Sequence, residues 1–327
     1  MNPTVKTGID KRRCGAKAGA VIVTGAGGAA GVAVIRALSR HRRVVGADCD
    51  PSAVGMHLAT ESGLLPRASD PDFVDQLAKL AQHTSATALV CTVAEEIPPL
   101  CAGAAQLAEA GLVTWLPPVD TVHACTDKWR FAQICRDHAI PAPATALGTT
   151  EGVPGPWIVK PRFGRGSRDV YAIDTVEELG WALPRVPEPL VQTRLSGAEF
   201  TVDALVNPHG QLAGAVPRWR LETKAGISTK GRTFHCQPLV SQVARLLNIL
   251  RLVGPANIQG FHTAAGEFAF TEVNPRFSGG LPLSLAAGAD FVGEYLRGLE
   301  GLPVRTERLI AQPGVTMLRH LDEVFTR

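Results

Sequence analysis

Thr271-Glu272-Val273-Asn274-Pro275-Arg276-Phe277-Ser278-Gly279-Gly280, reached through an alternating run that starts at Glu267, decides the reading of this chain. In a strand, residues two apart share a face and lie roughly 6–7 Å apart. Glu272 and Asn274 therefore point one way while Val273 turns into a core. A carboxylate beside an amide oxygen suits Mg²⁺, a hard cation that takes few protein oxygens and prefers phosphate for the rest. Pro275 fixes the exit from the strand, and the guanidinium of Arg276 follows at once, with the geometry to grip a phosphoryl oxygen through paired hydrogen bonds. The plain alternative is a strand edge carrying a solvated acid and a turn.

Working outward, Asn257-Ile258-Gln259-Gly260-Phe261 begins the partner strand. Gln259 either adds an amide oxygen near the same metal or serves as a structural hydrogen-bonding residue. Ile158-Val159-Lys160-Pro161-Arg162-Phe163-Gly164-Arg165-Gly166-Ser167 puts a lysine at a buried strand end ahead of a loop with two glycines. An ammonium and several backbone N–H groups can surround a polyphosphate there. The spacing is not G-x-x-x-x-G-K-[ST], so a P-loop is not supported. Thr126-Asp127-Lys128 adds a lysine beside a helix cap. Gln192-Thr193-Arg194-Leu195-Ser196-Gly197-Ala198-Glu199-Phe200-Thr201-Val202-Asp203 reads as strand, glycine turn and strand, with Glu199, Thr201 and Asp203 on one face. One of these acids can hold a ribose hydroxyl or a metal.

The first half has a different rhythm. Val21-Ile22-Val23 is a short buried strand followed by Thr24-Gly25-Ala26-Gly27-Gly28-Ala29-Ala30-Gly31 and a helical stretch through Leu38. Strands are expected over 43–47, 88–93 and 113–116, with helices over 72–82 and 97–110 between them. Strands alternating with helices imply a parallel, doubly wound sheet. The glycine turn, with Asp48 ending the next strand, is also the outline of a dinucleotide site. A nicotinamide-dependent oxidoreductase is thus a rival function, and a nucleotide-binding regulator without turnover is another.

Past Thr121 a helix over 127–138 ends at Pro141, and a Pro-rich stretch over 141–156 connects two units. Strands are then expected near 157–160, 169–173, 189–193, 198–206, 211–218, 256–263 and 267–273, with one long helix over 239–253. This half is α+β. The 327 residues allow two or three cores. Charged residues at 19% and a formal net charge of +3 give no argument for nucleic acid or membrane partners. Seven scattered cysteines without a C-x-x-C pair read as reduced thiols, hence a cytoplasmic location. Residues 1–18 carry Lys6, Lys11, Arg12, Arg13 and Lys17 and read as a disordered basic tail.

Taken in order, T-D-K, I-V-K-P-R-F-G-R-G-S, Q-x-x-x-x-G-x-E-F-T-V-D, N-I-Q-G and E-V-N-P-R-F-S-G-G resemble the ATP-grasp superfamily, in its carbamoyl-phosphate-synthase-like branch of stand-alone carboxylate–amine ligases. The resemblance spans Val21 to about Arg319. It implies a Rossmann-like pre-ATP-grasp domain over 19–118 without nicotinamide, and an ATP-grasp domain over 119–327 with lobes at about 126–190 and 191–327. Lys128, Lys160, Arg162, Gly164, Gly166 and Ser167 would surround the phosphates of ATP. Gln192 and Leu195 would line the adenine pocket, and Glu199 would hold the ribose. Glu272 and Asn274, with Gln259, would hold Mg²⁺, for which Mn²⁺ can substitute, and Arg276 would face the transferred phosphoryl group. Gln259 stands where many members of the superfamily carry a second acid. With one such module and no glutaminase, carbamoyl phosphate production is not expected.

The implied chemistry joins a small carboxylate to an amine of amino-acid or peptide-like type, and a homodimer is left open. Substrate determinants have several candidates. Arg218 and Arg220 share one side of a strand. Lys230 and Arg232 lie in a glycine-containing segment over 226–233, expected to be a loop that closes over the site, and are grouped with Arg276 as catalytic. Glu95 and Glu96 follow a strand end, where open α/β sheets bind ligands, and are candidates to meet the amine.

Overall fold

The computed structural model describes residues 19–326 except 165, 167 and 225. The expected basic tail over 1–18 and the phosphate-loop candidate Ser167 lie outside the described residues. All five residues of β1 (Ala20–Thr24) are buried, as in a strand covered on both faces. It is followed by α1 (Ala29–Leu38), β2 (Val44–Asp48), α2 (Val54–Leu58), β3 (Glu61–Leu64), α3 (Phe73–Thr84) and β4 (Ala86–Val90). The strands pair in parallel in the order β3-β2-β1-β4. Of the strand expected over 113–116, only Val113 pairs, through one bridge to Ala88. The single helix expected over 97–110 is two, α4 (Ile97–Ala102) and α5 (Ala104–Glu109), meeting at Gly103. A Cβ there would stand 2.4 Å from a methyl of Val74, so the chain passes too close for a side chain.

After α6 (Val119–Thr126), Asp127 accepts hydrogen bonds from the backbone N–H groups of Trp129 and Arg130 and so starts α7 (Lys128–Asp137). A small lobe comprises β5 (Thr145–Leu147), β6 (Trp157–Pro161), β7 (Tyr171–Ile173), α8 (Val176–Ala182) and β8 (Pro189–Thr193). Its four strands are antiparallel in the order β5-β8-β6-β7. Thr175 and Glu178 close a reciprocal capping box at the start of α8.

The large lobe is built on β9 (Gly197–Val206), β10 (Leu212–Lys224), β11 (Ile227–Thr233), α9 (Gln237–Ile249), β12 (Gly254–Thr263), β13 (Phe268–Asn274), α10 (Leu281–Ala286), α11 (Phe291–Leu299) and β14 (Thr316–Leu318). Six antiparallel strands run in the order β13-β12-β9-β10-β11-β14. The segment expected to be a loop over 226–233 is therefore mostly a strand, held by β10 on one side and β14 on the other.

Alternation along this sheet separates two chemistries. Phe200, Val202, Ala204, Ile258, Phe270 and Val273 pack against Leu239, Val243 and Leu246 of α9. Burying each large apolar side chain stabilises the lobe by about 1.5–3 kcal/mol. The opposite face of β9 carries Glu199, Thr201 and Asp203. A second core joins β1 and α1 to Leu205, Val216 and α11, with Trp115 stacked on Tyr295 at 5.0 Å. The parallel-sheet unit is thereby packed on the large lobe, leaving a cleft between them.

Candidate active site

The pairing of β13, β12 and β9 assembles a polar row. Gln259 lies opposite Glu272 on one side and Thr201 on the other, and Asn257 lies opposite Asn274 and Asp203. Directly opposed residues in an antiparallel pair share a face; Thr201, Asn257, Gln259, Glu272 and Asn274 line the cleft, while Asp203 at the same face is buried against Arg218 and Ser284. Asn274 Nδ2 donates to Glu272 Oε1 at 2.6 Å, and Arg276 donates to Asn274 Oδ1 at 3.2 Å. Gln259 Nε2 donates to Asn257 Oδ1 at 3.3 Å. The expected set Gln259, Glu272, Asn274 and Arg276 is brought together. Asn257 was a missed member, although its place two residues before Gln259 on the same strand already put it on that face.

Two lysines converge on the same carboxylate. Lys160, buried at the end of β6, donates to Gln192 Oε1 at 2.8 Å, and Gln192 in turn donates to Thr145. Burial pushes its ammonium down to about 8, against the pull of Glu272 and with the push of Lys128. Lys128 donates to the Gly164 carbonyl at 2.9 Å; burial lowers its pKa also, opposed by Glu272 and Asp127. An anion arriving here meets two charges that the empty protein holds at a cost.

Two expectations about the nucleotide half change. Gln192 is buried behind Lys160, which it orients, rather than exposed as a pocket wall. Arg162 grips Asp127 through two bonds, Nε to Oδ1 at 2.9 Å and Nη2 to Oδ2 at 2.6 Å. It ties the glycine loop to the start of α7 and hence to Lys128. Gly164 and Gly166 adopt positive φ, and Gly166 reaches the cleft wall. Leu195 is half-buried in the connection from β8 to β9.

Arg218 and Arg220 both face the cleft. Arg220 pairs with Glu199, donates to Gln259 Oε1 at 3.0 Å and donates to the Gly226 carbonyl at 2.9 Å. Burial raises the pKa of Glu199, while Arg220 opposes the rise. Lys230 and Arg232 are a correction. Arg232 is directly opposite Trp219, so it shares the face turned away from Arg218 and Arg220, and Lys230 follows it with strand alternation. Lys230 pairs with the exposed Glu222 at 2.7 Å, and Arg232 bonds Thr316 at 3.1 Å.

The far wall of the cleft, a cavity of about 1170 Å³, is the carboxyl end of the parallel sheet. Here the glycine turn is filled by its own chain. A Cβ on Gly31 would come within 2.2 Å of the Gly25 carbonyl, and one on Gly55 within 2.1 Å of the Ala26 carbonyl. Asp48 accepts from the Gly27 and Asp50 backbone N–H groups at 2.8 and 3.1 Å. Glu96 lies on the same wall, with Thr24 and Cys91 donating to it, and burial lifts its carboxyl to about 7.

Comparison with known proteins bears on the family and the fold. Residues 185–322 match the family model described as ATP-grasp in the biosynthetic pathway with Ter operon. The carbamoyl phosphate synthase large chain of Thermomicrobium roseum is 29% identical over 215 residues, 58% of this chain and 20% of that one. The match thus spans about a fifth of that relative's length. Biotin carboxylase from Campylobacter jejuni, solved as a β,γ-ATP complex, superposes with a TM-score of 0.71 at 13% identity, over 89% of this chain and 73% of that one. An L-amino acid ligase from Bacillus licheniformis gives 0.69 at 15%, over 90% and 77%. At such identities the structures speak for the fold. Among the described residues, no helix is long and apolar enough to cross a membrane.

Proposed function

We propose that this chain, a member of the ATP-grasp superfamily, is an ATP-dependent ligase that activates a small carboxylic acid as an acyl phosphate and joins it to an amine. One observation carries the reading. Glu272 stands opposite Gln259, bonds Asn274, and is felt electrostatically by Lys128 at the start of α7 and by Lys160 from the small lobe. Acid, amides and ammonium groups meet where a triphosphate with its cation would be held.

The donor set fits Mg²⁺. Gln259, Glu272 and Asn274 offer oxygen only, with one carboxylate among them, which leaves the remaining positions to phosphate oxygens and water. Among the described residues no group of three His, Cys, Asp or Glu side chains forms a dedicated cage. When bound, the ion would neutralise charge on the phosphates and draw the phosphoryl group into line. Glu199 is the candidate for the ribose, and Leu195 for the adenine.

A carboxylate is a poor acyl donor because oxide would have to leave. In the proposed sequence an oxygen of the acid attacks the γ-phosphorus and ADP departs, giving the acyl phosphate. The amine nitrogen then attacks the acyl carbon and loses a proton, and phosphate leaves. Lys128, Lys160 and Arg276 act by position and charge, which is most of what phosphoryl transfer asks of a protein.

The test has two stages. Mg·ATP is expected to raise the melting temperature while NADH does not; the reverse would favour the oxidoreductase reading. ADP release is then followed over a panel of acids and amines. Binding of nucleotide with no turnover across a broad panel would favour a regulator instead.

A further inference from the structure

Among the described residues, two buried polar atoms without a hydrogen-bond partner belong to the cleft wall: Nε of Arg218 and Oγ of Ser228. Arg218 is 1% exposed. Its bonds leave from Nη2, to Asp203 Oδ1 at 2.7 Å and Ser278 Oγ at 3.0 Å; Nε, on the same edge of the fork as Nη2, has no acceptor, and among the described residues Nη1 at the far end makes no bond either. A buried donor is rarely left unmade in a folded protein unless something else supplies the acceptor.

What surrounds Nη1 favours an anion. Gly280 has no room for a side chain: its Cβ would fall 2.0 Å from Nη1 of Arg218. Its neighbour Gly279 faces Ala29, the first residue of α1, with 3.1 Å between the Ala29 Cβ and the position a Cβ on Gly279 would take. The amino end of this ten-residue helix has no side-chain cap and no acid in its first turn, and Gly28, Ala29 and Ala30 line the cleft. The tip of the β10–β11 hairpin curls over the same place: Ile227 reaches within 3.9 Å of that Gly279 position, and Arg220 holds the Gly226 carbonyl. Arg319 donates to the Gly279 carbonyl at 2.7 Å. Burial, then the charges of Arg218 and Arg36, hold its guanidinium below the usual arginine range. A helix amino terminus, a guanidinium whose Nη1 makes no bond and an unpaired hydroxyl thus line one end of the cleft.

We propose that Arg218, Ser228 and the amino end of α1 form a seat for a substrate carboxylate that is not the one activated. This rests on the ligase reading above and deepens it, because it names a second acid group as the feature by which the substrate is chosen. Arg218 bonds Ser278, two residues beyond Arg276, so the seat adjoins the phosphoryl-transfer residues without coinciding with them. The group comes either from a dicarboxylic acid or from the carboxylate of an amino acid acting as the amine.

The experiment separates this seat from the nucleotide site. Protein loaded with Mg²⁺ and a non-hydrolysable ATP analogue is titrated with acetate, succinate, L-alanine and L-glutamate, with calorimetry as the readout. Succinate or an amino acid is expected to bind at least tenfold more tightly than acetate. Succinate binding alone identifies the acid as the source, and L-alanine binding identifies the amine. Gly28→Asp places a carboxylate over the helix N–H groups from a backbone already suited to an N-cap. It should abolish that preference while analogue affinity and melting temperature hold. Ser228→Ala should weaken the preferred ligand about fivefold, and Arg218→Lys at least tenfold. If Arg218→Lys fails to fold, Gly28→Asp and Ser228→Ala decide the matter. Binding of neither succinate nor an amino acid more tightly than acetate, or full binding of the preferred ligand by Gly28→Asp, overturns the seat. Failure of the wild-type protein to bind the analogue overturns the ligase reading first.

Discussion

The molecule contains two glycine-bearing turns that look alike in sequence and differ in what approaches them. At Gly25–Gly31 the approaching atoms belong to the protein: the carbonyls of Gly25 and Ala26 occupy the space that side chains on Gly31 and Gly55 would need. The acid at the end of the next strand accepts backbone N–H groups of that same turn and its neighbour. At Gly164–Gly166 no such backbone filling occurs. A Cβ on Gly166 would meet nothing within 4 Å, and the loop instead lends its Gly164 carbonyl to Lys128. Glycine used for internal packing and glycine left open to a nucleotide give the same letters. Only the second is accompanied by buried ammonium groups and a matching carboxylate.

The sharpest way to break this contrast is at the carboxylate. Glu272→Ala is expected to lower the rate of ADP formation at least a thousandfold, the scale of losing a principal charge-organising group in phosphoryl transfer. The fold should survive, because Glu272 is on the polar face and not in the core against α9. Near-normal turnover would remove the site from this lobe.

A second test uses the pKa of Lys160, which burial holds at about 8 against an ordinary 10.5. The ammonium form is the one a phosphate needs. Affinity for the Mg²⁺–nucleotide should therefore fall roughly tenfold per pH unit above 8, until the pKa of the complex is reached. Stability of the ligand-free protein moves the other way. Between about 8 and 10.5 the unfolded chain keeps the proton that the folded chain has lost, so this residue's penalty is relieved as pH rises. Lys160→Met should flatten both profiles. A pH-independent affinity in the wild type would place the phosphates elsewhere.

The first glycine turn should respond differently. Gly31→Ala forces a Cβ to 2.2 Å from a carbonyl oxygen and should cost about 1–3 kcal/mol of stability, as overpacking does. Nucleotide affinity should stay within about twofold. A large loss of affinity with unchanged melting temperature would mean that this turn, too, receives the nucleotide.

How much of this was legible in the sequence follows from the range of the forces involved. Strand alternation is local, so the polar face of β9, β12 and β13 and the core opposite it could be read directly. Register is not local. The pairing of Gln259 with both Glu272 and Thr201 needs three strands aligned, and only that alignment brings Asn257 into the group. Helices of five to nine residues, such as α2, α10 and α11, were missed because too few turns are present to reveal a period. Gln192 and Arg162 were expected to touch ligand because they flank the right motif. Their side chains instead satisfy Lys160 and Asp127, competition for partners that no spacing rule records.

The smallest expected effect concerns Lys230 and Arg232, and it tests the register that underlies the whole site. In sequence, two cations beside a glycine look like a closing loop. In the structure, Gly231 lies opposite Arg220 and Thr233 opposite Arg218, so Arg232 between them takes the other face, and Lys230, two residues before it, does the same. There Lys230 makes an exposed pair with Glu222, a kind of contact worth about 0–1 kcal/mol. Lys230→Ala and Arg232→Ala should each leave ADP formation within about twofold of the wild type, with melting temperature nearly unchanged. A slip of β11 by one residue would exchange the two faces, and these cations would then enter the cleft. A hundredfold loss of turnover in either variant would therefore mean that the strand is paired differently from the structure.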